Sequence, residues 1–241
     1  MTLIMTSTCG FAVKENGIRY AVKMPDKNHF LDLLKDYWIK FARILFIASD
    51  PDDYIKNDMM ADIFYQSVKL TGLSAVSITP CDHRNMDIIK EMHSFDVVIL
   101  CGGHVPTQNR FFEELKLKDV ILDFSGLILS WSAGSMNCAK TVYALPEEDE
   151  EAIDPSYERF ITGLCLTDTM IIPHFQDVRD DILDGYHVID DLAMADSVGK
   201  SFVCLNDGSF ILSEDAWSFF MVRLMKYLMA TSEKSVTTII I

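Results

Sequence analysis

The chain is poor in positive charge: its 241 residues carry 21 Lys and Arg against 36 Asp and Glu, a formal net charge of −15 at pH 7. Phosphate backbones and anionic membrane surfaces are held by clusters of basic side chains, and no such cluster is present, so neither nucleic acid nor membrane is an expected partner. Long apolar runs are also missing. None approaches the roughly 20 residues of a membrane-spanning helix, and Met1-Thr2-Leu3-Ile4 lacks the basic region and long apolar stretch of a secretion signal. The six cysteines form no Cys-x-x-Cys pair and the six histidines no His-x-x-x-His, so no metal site is expected. Cysteines set inside apolar runs, as Cys101, Cys138, Cys165 and Cys204 are, fit a reducing compartment, and the expected location is cytoplasmic.

What is present suffices for one sizeable α/β core without metals or disulfides. Apolar strand-like runs alternate with helical patterns, the order of a doubly wound parallel sheet. Residues 3–6, 43–48, 75–79 and 97–101 read as strands, and 29–40, 56–70 and 86–93 as helices. The second of these helices has Met60, Ile63, Phe64 and Val68 at helical spacing and is closed by Gly72. Residues 202–205 and 210–212 flank Asn206-Asp207-Gly208-Ser209, a hairpin signal for an antiparallel addition at the sheet edge. No repeat or linker interrupts the pattern. Residues 1–241 therefore read as a single three-layer domain, its mostly parallel sheet ending in an antiparallel C-terminal hairpin.

Three segments carry chemistry. In the first, the apolar run Leu127-Ile128-Leu129 breaks through Ser130-Trp131-Ser132-Ala133-Gly134 into a helix-like stretch. A strand that turns into a helix through small residues around a serine lifts the hydroxyl clear of the sheet edge, as a nucleophile elbow does. The second is Val97 to Leu100 followed by Cys101-Gly102-Gly103-His104. Paired glycines at the end of a buried strand let backbone N–H groups face a ligand, which suits an oxyanion hole. His104, beside them, is placed to line a pocket without being a base. The third is Met170-Ile171-Ile172-Pro173-His174-Phe175, where His174 again follows a strand-like run. Histidine is the usual general base for a serine nucleophile because it titrates near neutrality.

Taken in order, Cys101-Gly102-Gly103, Trp131-Ser132-Ala133-Gly134-Ser135-Met136-Asn137 and Pro173-His174-Phe175 resemble the peptidase E group, the class I glutamine amidotransferase-like serine peptidases, and within it the bacterial members. The resemblance runs from about residue 42 to about residue 215. It implies Ser132 as nucleophile, His174 as base, and the N–H groups of Gly103 and Ala133, with Gly102 and His104 nearby, as the oxyanion and substrate-binding part. The family's acid falls fifteen residues after the serine, which selects Glu147 in the run Glu147-Glu148-Asp149-Glu150-Glu151; Glu148 is the runner-up, and Asp177 and Asp207 are third choices. The family often has Asn or Thr where this chain has His104. By resemblance, then, the protein is a serine peptidase that cleaves an amide bond in a small peptide, with an N-terminal aspartate as the family's example. It needs no cofactor and exists as a monomer or homodimer. An amidotransferase proper is disfavoured, because it needs cysteine at position 132. The alternative of a different class is an amidotransferase-like binding or regulatory module that hydrolyses weakly or not at all.

The C-terminus departs from the family, whose chains commonly end in a Tyr-Gly-Glu-Ala-Tyr strand and a second Asp-Gly hairpin. Methionine has a single codon, so reading one base earlier across Met221-Val222, Met225-Lys226 and Met229-Ala230 forces Gly, Glu and Gly. A single-base loss near Asp215 and Ala216 accounts for this and leaves a terminal hairpin missing and a sheet edge open. Read in its own frame, 219–230 is an amphipathic helix. Sequencing the coding DNA tests the shift: the alternative frame is expected to spell Tyr-Gly-Glu-Ala-Tyr, and its absence refutes the idea.

Overall fold

The computed structural model describes residues 1–214, together with the backbone of 217–221 and 225–228. Its centre is a seven-stranded sheet in the order Trp217–Met221, Phe210–Glu214, Thr2–Thr6, Leu127–Trp131, Val97–Leu100, Ala42–Ile47, Ala75–Cys81. The five strands from Thr2–Thr6 to Ala75–Cys81 run parallel; Phe210–Glu214 pairs antiparallel both with Thr2–Thr6 and with Trp217–Met221.

Strand side chains alternate between faces, so a run that is apolar at every position must be buried on both. In Val97–Leu100, Val98 and Leu100 join one core and Val97 and Ile99 the other. Leu3 and Met5 divide from Ile4 in the same way. One face is covered by the helices Phe30–Tyr37 and Tyr54–Leu70, through Leu31, Leu34, Phe64 and Val68. The other is covered by Val105–Glu114, Leu117–Ile121 and the 3₁₀ helix Met86–Ser94, through Phe111, Phe112, Leu117 and Ile89. Asp53 caps the long helix by accepting a hydrogen bond from the Lys56 N–H at 3.1 Å. Gly72 ends it at a φ of +85°, which an L side chain rarely adopts. No disulfide joins any of the six cysteines. Among the described residues no helix is long and apolar enough to cross a membrane.

A second, three-stranded sheet holds Met170–Ile172, Phe202–Leu205 and Met225–Leu228. The first two are parallel, with Ile172 opposite Cys204. Tyr143 stacks on Phe202 here, ring centroids 4.4 Å apart.

Two expectations are corrected. Residues 202–205 and 210–214 do not form a hairpin with each other, because the Asn206–Ser209 turn passes the chain from the small sheet to the large one. The antiparallel edge is made instead by Phe210–Glu214 with Trp217–Met221. Nor do the described parts of 219–230 form a helix: Trp217–Met221 and Met225–Leu228 are strands, and the edge expected to be open is paired. The proposed site of the frame shift, Asp215 and Ala216, lies outside the described residues.

Trp131 anchors the elbow strand from below. It is 7% exposed and stacks on Phe64 at 5.6 Å, with Phe11 and Phe46 at 5.0 and 6.0 Å. Trp131→Ala should cost about 3–5 kcal/mol in urea denaturation, while Leu122→Ala, at an exposed position, should stay within about 0.5 kcal/mol.

Candidate active site

Parallel strands end at the same edge, and this is where the candidate residues collect. Ser7 follows Thr6, Gly102 and Gly103 follow the strand ending at Leu100, and Ser132 follows Trp131; in register, Thr6 lies opposite Trp131. His174 and Asp207 each stand two residues beyond the neighbouring parallel strands Met170–Ile172 and Phe202–Leu205.

Ser132 occupies a sharp turn at φ 50°, ψ −124°, immediately before the short helix Ala133–Asn137. That backbone conformation is strained for a residue with a side chain. It is held by the Ser132 N–H, which bonds the carbonyls of Thr6 and Ser7, each at 3.1 Å. The helix sits so close to the neighbouring strand end that a Cβ at position 134 would overlap the carbonyl oxygens of Leu100 and Cys101. Only glycine fits there. Ser135, the other serine of the turn, is wholly buried and its hydroxyl is committed to Thr6 and Ser130. Ser132 is partly exposed, and its hydroxyl makes no hydrogen bond among the described residues. The N–H groups of Gly103 and Ala133 are likewise unused among these residues. Asn137 is buried, bonds Val105 O and Gln108, and accepts from Asn109, which locks the elbow to the helix Val105–Glu114.

His174 also has a positive φ, 51°. Its Nδ1 lies 2.8 Å from Asp207 Oδ1. Ser7 completes the cluster: its hydroxyl donates to Asp207 at 2.7 Å and accepts from the His174 backbone N–H at 2.8 Å. The Asp207 N–H is fixed in turn by Gln176 at 2.9 Å. Burial acts to raise the Asp207 carboxyl, but the hydrogen bonds from His174 and Ser7, the positive charge of His174 and the bond with Gln176 outweigh it and hold the group at about 2. An ionised carboxylate only accepts, so in the neutral ring Nδ1 carries the proton and Nε2 keeps the lone pair.

The carboxylate on His174 is thus that of Asp207 and not of Glu147. The strand Thr141–Tyr143 carries Glu147 to the start of the helix Val105–Glu114, where it accepts a hydrogen bond from the Val105 N–H at 3.2 Å. Negative charge is favoured at that end of a helix. Burial nevertheless raises the Glu147 carboxyl, opposed by the Val105 N–H and His104 and reinforced by Glu151 and Glu148. Glu147 is exposed and lines the cavity described below, so the side chain meets solvent and yet has protein around it. Glu148 is exposed, and only its N–H is engaged, by Glu151.

A cavity of about 390 Å³ opens over these residues. Gly103, Ser132, Glu147 and His174 line it; Gly102, Ala133 and His104 do not. His104 instead bonds Glu151 at 2.7 Å and Thr107 at 2.8 Å. Potential ligand atoms of His174, Asp177 and Asp207, and of His104, Glu148 and Glu151, lie within 4.8 Å of one another. In each trio the histidine is already bonded to one of the carboxylates and a second carboxylate is exposed, an arrangement that ion pairing explains. Sequence reasoning missed Ser7 altogether, since a serine after a strand carries no signal. It also ranked Asp207 low, although the Asn206-Asp207-Gly208-Ser209 turn marked the position.

Among solved structures the chain is similar to a candidate peptidase E protein from Listeria monocytogenes EGD-e, with a TM-score of 0.59 and 12% identity over 94% of this chain and 98% of that one. At that identity the likeness establishes the fold, that of peptidase E. No curated protein matches the chain. The model of peptidase family S51 matches residues 21–217, a span that takes in every residue of the cluster except Ser7, and the chain belongs to that family of serine-type peptidases.

Proposed function

We propose that the protein hydrolyses an amide bond in a small peptide through an acyl-enzyme, with Ser132 as nucleophile, His174 as base and Asp207 as the residue that orients His174. The observation that carries this reading is the His174 Nδ1 to Asp207 contact at 2.8 Å, beside a cavity that Ser132 and His174 both line. With Nδ1 committed, Nε2 takes the proton as Ser132 Oγ attacks the carbonyl carbon, then delivers it to the leaving amine. Water, deprotonated by the same nitrogen, then cleaves the ester, and the proton returns to Ser132. The unused N–H groups of Gly103 and Ala133 suit the oxyanion, where preorganised donors contribute most. A carboxylate on Nδ1 favours hydrolysis over the binding-module alternative.

Ser132→Ala should abolish labelling by a fluorophosphonate probe and leave the thermal midpoint nearly unchanged, because the exposed hydroxyl holds nothing together. Equal labelling of the variant would remove the assignment. Asp207→Asn should lower kcat by about 10³–10⁴, as loss of the orienting carboxylate does in serine peptidases generally.

The same carboxylate links stability to pH. Its folded value, about 2, lies below the ordinary 3.8, so its stabilising contribution is present above the unfolded value and is lost as pH falls through the folded one. In urea denaturation between about pH 5 and pH 2, the deficit of Asp207→Asn relative to the parent should shrink as the pH falls. A constant deficit would mean that the charge is not what stabilises the pair.

A further inference from the structure

The cavity over Ser132 has an uneven chemistry. Much of its wall is aliphatic, with Met136, Leu145, Val178, Leu183 and Val188 among the lining residues. Its charged side chains, apart from the imidazole of His174, are Glu147 and Asp181, both carboxylates. Among the described residues no Lys or Arg lines it. The arginines close to the site residues along the chain lie elsewhere: Arg179 is on the surface with its guanidinium bonded to Asp180 at 2.9 Å, and Arg110 is exposed and outside the lining. His104, whose charge acts on Glu147, has its ring nitrogens taken by Glu151 and Thr107.

Among the described residues the Glu147 carboxylate therefore accepts one hydrogen bond, from the Val105 N–H, and has no Lys or Arg in direct contact. Glu147 is exposed to solvent within this cavity, so its carboxylate is open to a cation that enters beside Ser132. An aspartate side chain entering here would meet two carboxylates and no cation, so this cavity is electrostatically wrong for the acidic residue that the family resemblance implies. A cationic group is the reverse case. An aliphatic stem can lie along the wall while its charged end reaches the carboxylate, the way long basic side chains divide themselves between apolar and polar surroundings. The net charge of −15 also attracts cations and repels anions at long range.

On the reading of Ser132 as nucleophile, we propose that Glu147 is a specificity-determining residue that receives an ammonium or guanidinium group of the substrate, so that the protein cleaves peptides with a positive charge on the acyl side of the scissile bond. The charge has two possible sources on a peptide, a free α-amine or the side chain of Lys or Arg. Asp181 adds a second negative charge to the same cavity.

The test uses the full chain and aminomethylcoumarin amides of lysine, norleucine and aspartate, each with a free and an acetylated amine. The same six acyl groups, as simple amides, are also assayed as protectants against fluorophosphonate labelling, so that poor turnover of an artificial leaving group does not hide binding. The lysine compounds should exceed the aspartate ones by at least about tenfold in kcat/KM or in protection. If the side chain is the source, acetyl-lysine retains the advantage over acetyl-norleucine; if the α-amine is, free norleucine exceeds acetyl-norleucine. Glu147→Gln should reduce whichever preference is found by about tenfold, with the change mainly in KM, and Glu147→Lys should turn it toward aspartate. Circular dichroism of both variants checks that the fold is kept. Labelling at Ser132 together with a preference for aspartate, or with equal treatment of all six compounds, overturns the specificity claim and leaves the hydrolase reading intact. Absence of Ser132-dependent labelling overturns the hydrolase reading, and the specificity claim falls with it.

Discussion

Four chain segments meet at Ser7. Its carbonyl accepts the Ser132 N–H, its N–H donates to Ser209 O, its hydroxyl accepts the His174 backbone N–H, and the same hydroxyl donates to Asp207. The residue is fully buried, so each of these groups would cost free energy if left unpaired. The elbow, the histidine and the carboxylate come from distant parts of the chain, and this one residue, through its backbone and its hydroxyl, fixes their relative positions. A cluster of buried, mutually satisfied hydrogen bonds rigidifies in a way that apolar packing alone does not.

The fold supports this arrangement from underneath. Ser132 and His174 both have positive φ, a conformation worth roughly 1–3 kcal/mol of strain each. That strain is tolerable because the surroundings over-determine it. Beneath Ser132 lies Trp131, packed among Phe11, Phe46 and Phe64, and behind it Gly134 lets the helix close directly onto the carbonyls of Leu100 and Cys101. The second sheet plays the corresponding part for His174 and Asp207. Since Met170–Ile172 and Phe202–Leu205 are parallel, their C-terminal ends emerge side by side, and a two-residue overhang on each suffices to bring imidazole and carboxylate into contact.

Acidic residues take three different roles within a small region. Asp207 is stabilised as an anion by donors on several sides. Glu151 serves as a brace, bonding His104 and accepting the N–H groups of Glu147 and Glu148. Glu147 faces the cavity from a helix start, its charge only partly compensated. Chain neighbours thus differ in chemistry because their surroundings differ, and membership of a peptidase family does not by itself decide what charge the cavity receives.

The amino-acid pattern alone determined much of the frame. Apolar runs that permit no polar face dictated buried parallel strands, helical spacing from Met60 to Val68 dictated a covering helix, and the small residues around Ser132 dictated a sharp turn, all because these preferences act over a few neighbouring residues. The antiparallel edge was legible as a hairpin signal but was assigned to the wrong pair, since a turn sequence specifies a reversal and not which sheet each arm joins. The carboxylate that contacts His174 was not the expected one, for a related reason. The family resemblance, which implies an acid fifteen residues after the serine, selected Glu147, yet a distance along the chain says little about a distance through space once a loop is long enough to cross the cavity. Only the tertiary structure, by setting two parallel strand ends side by side and burying Ser7 between them, decided that Asp207 reaches His174 and that Glu147 faces the cavity.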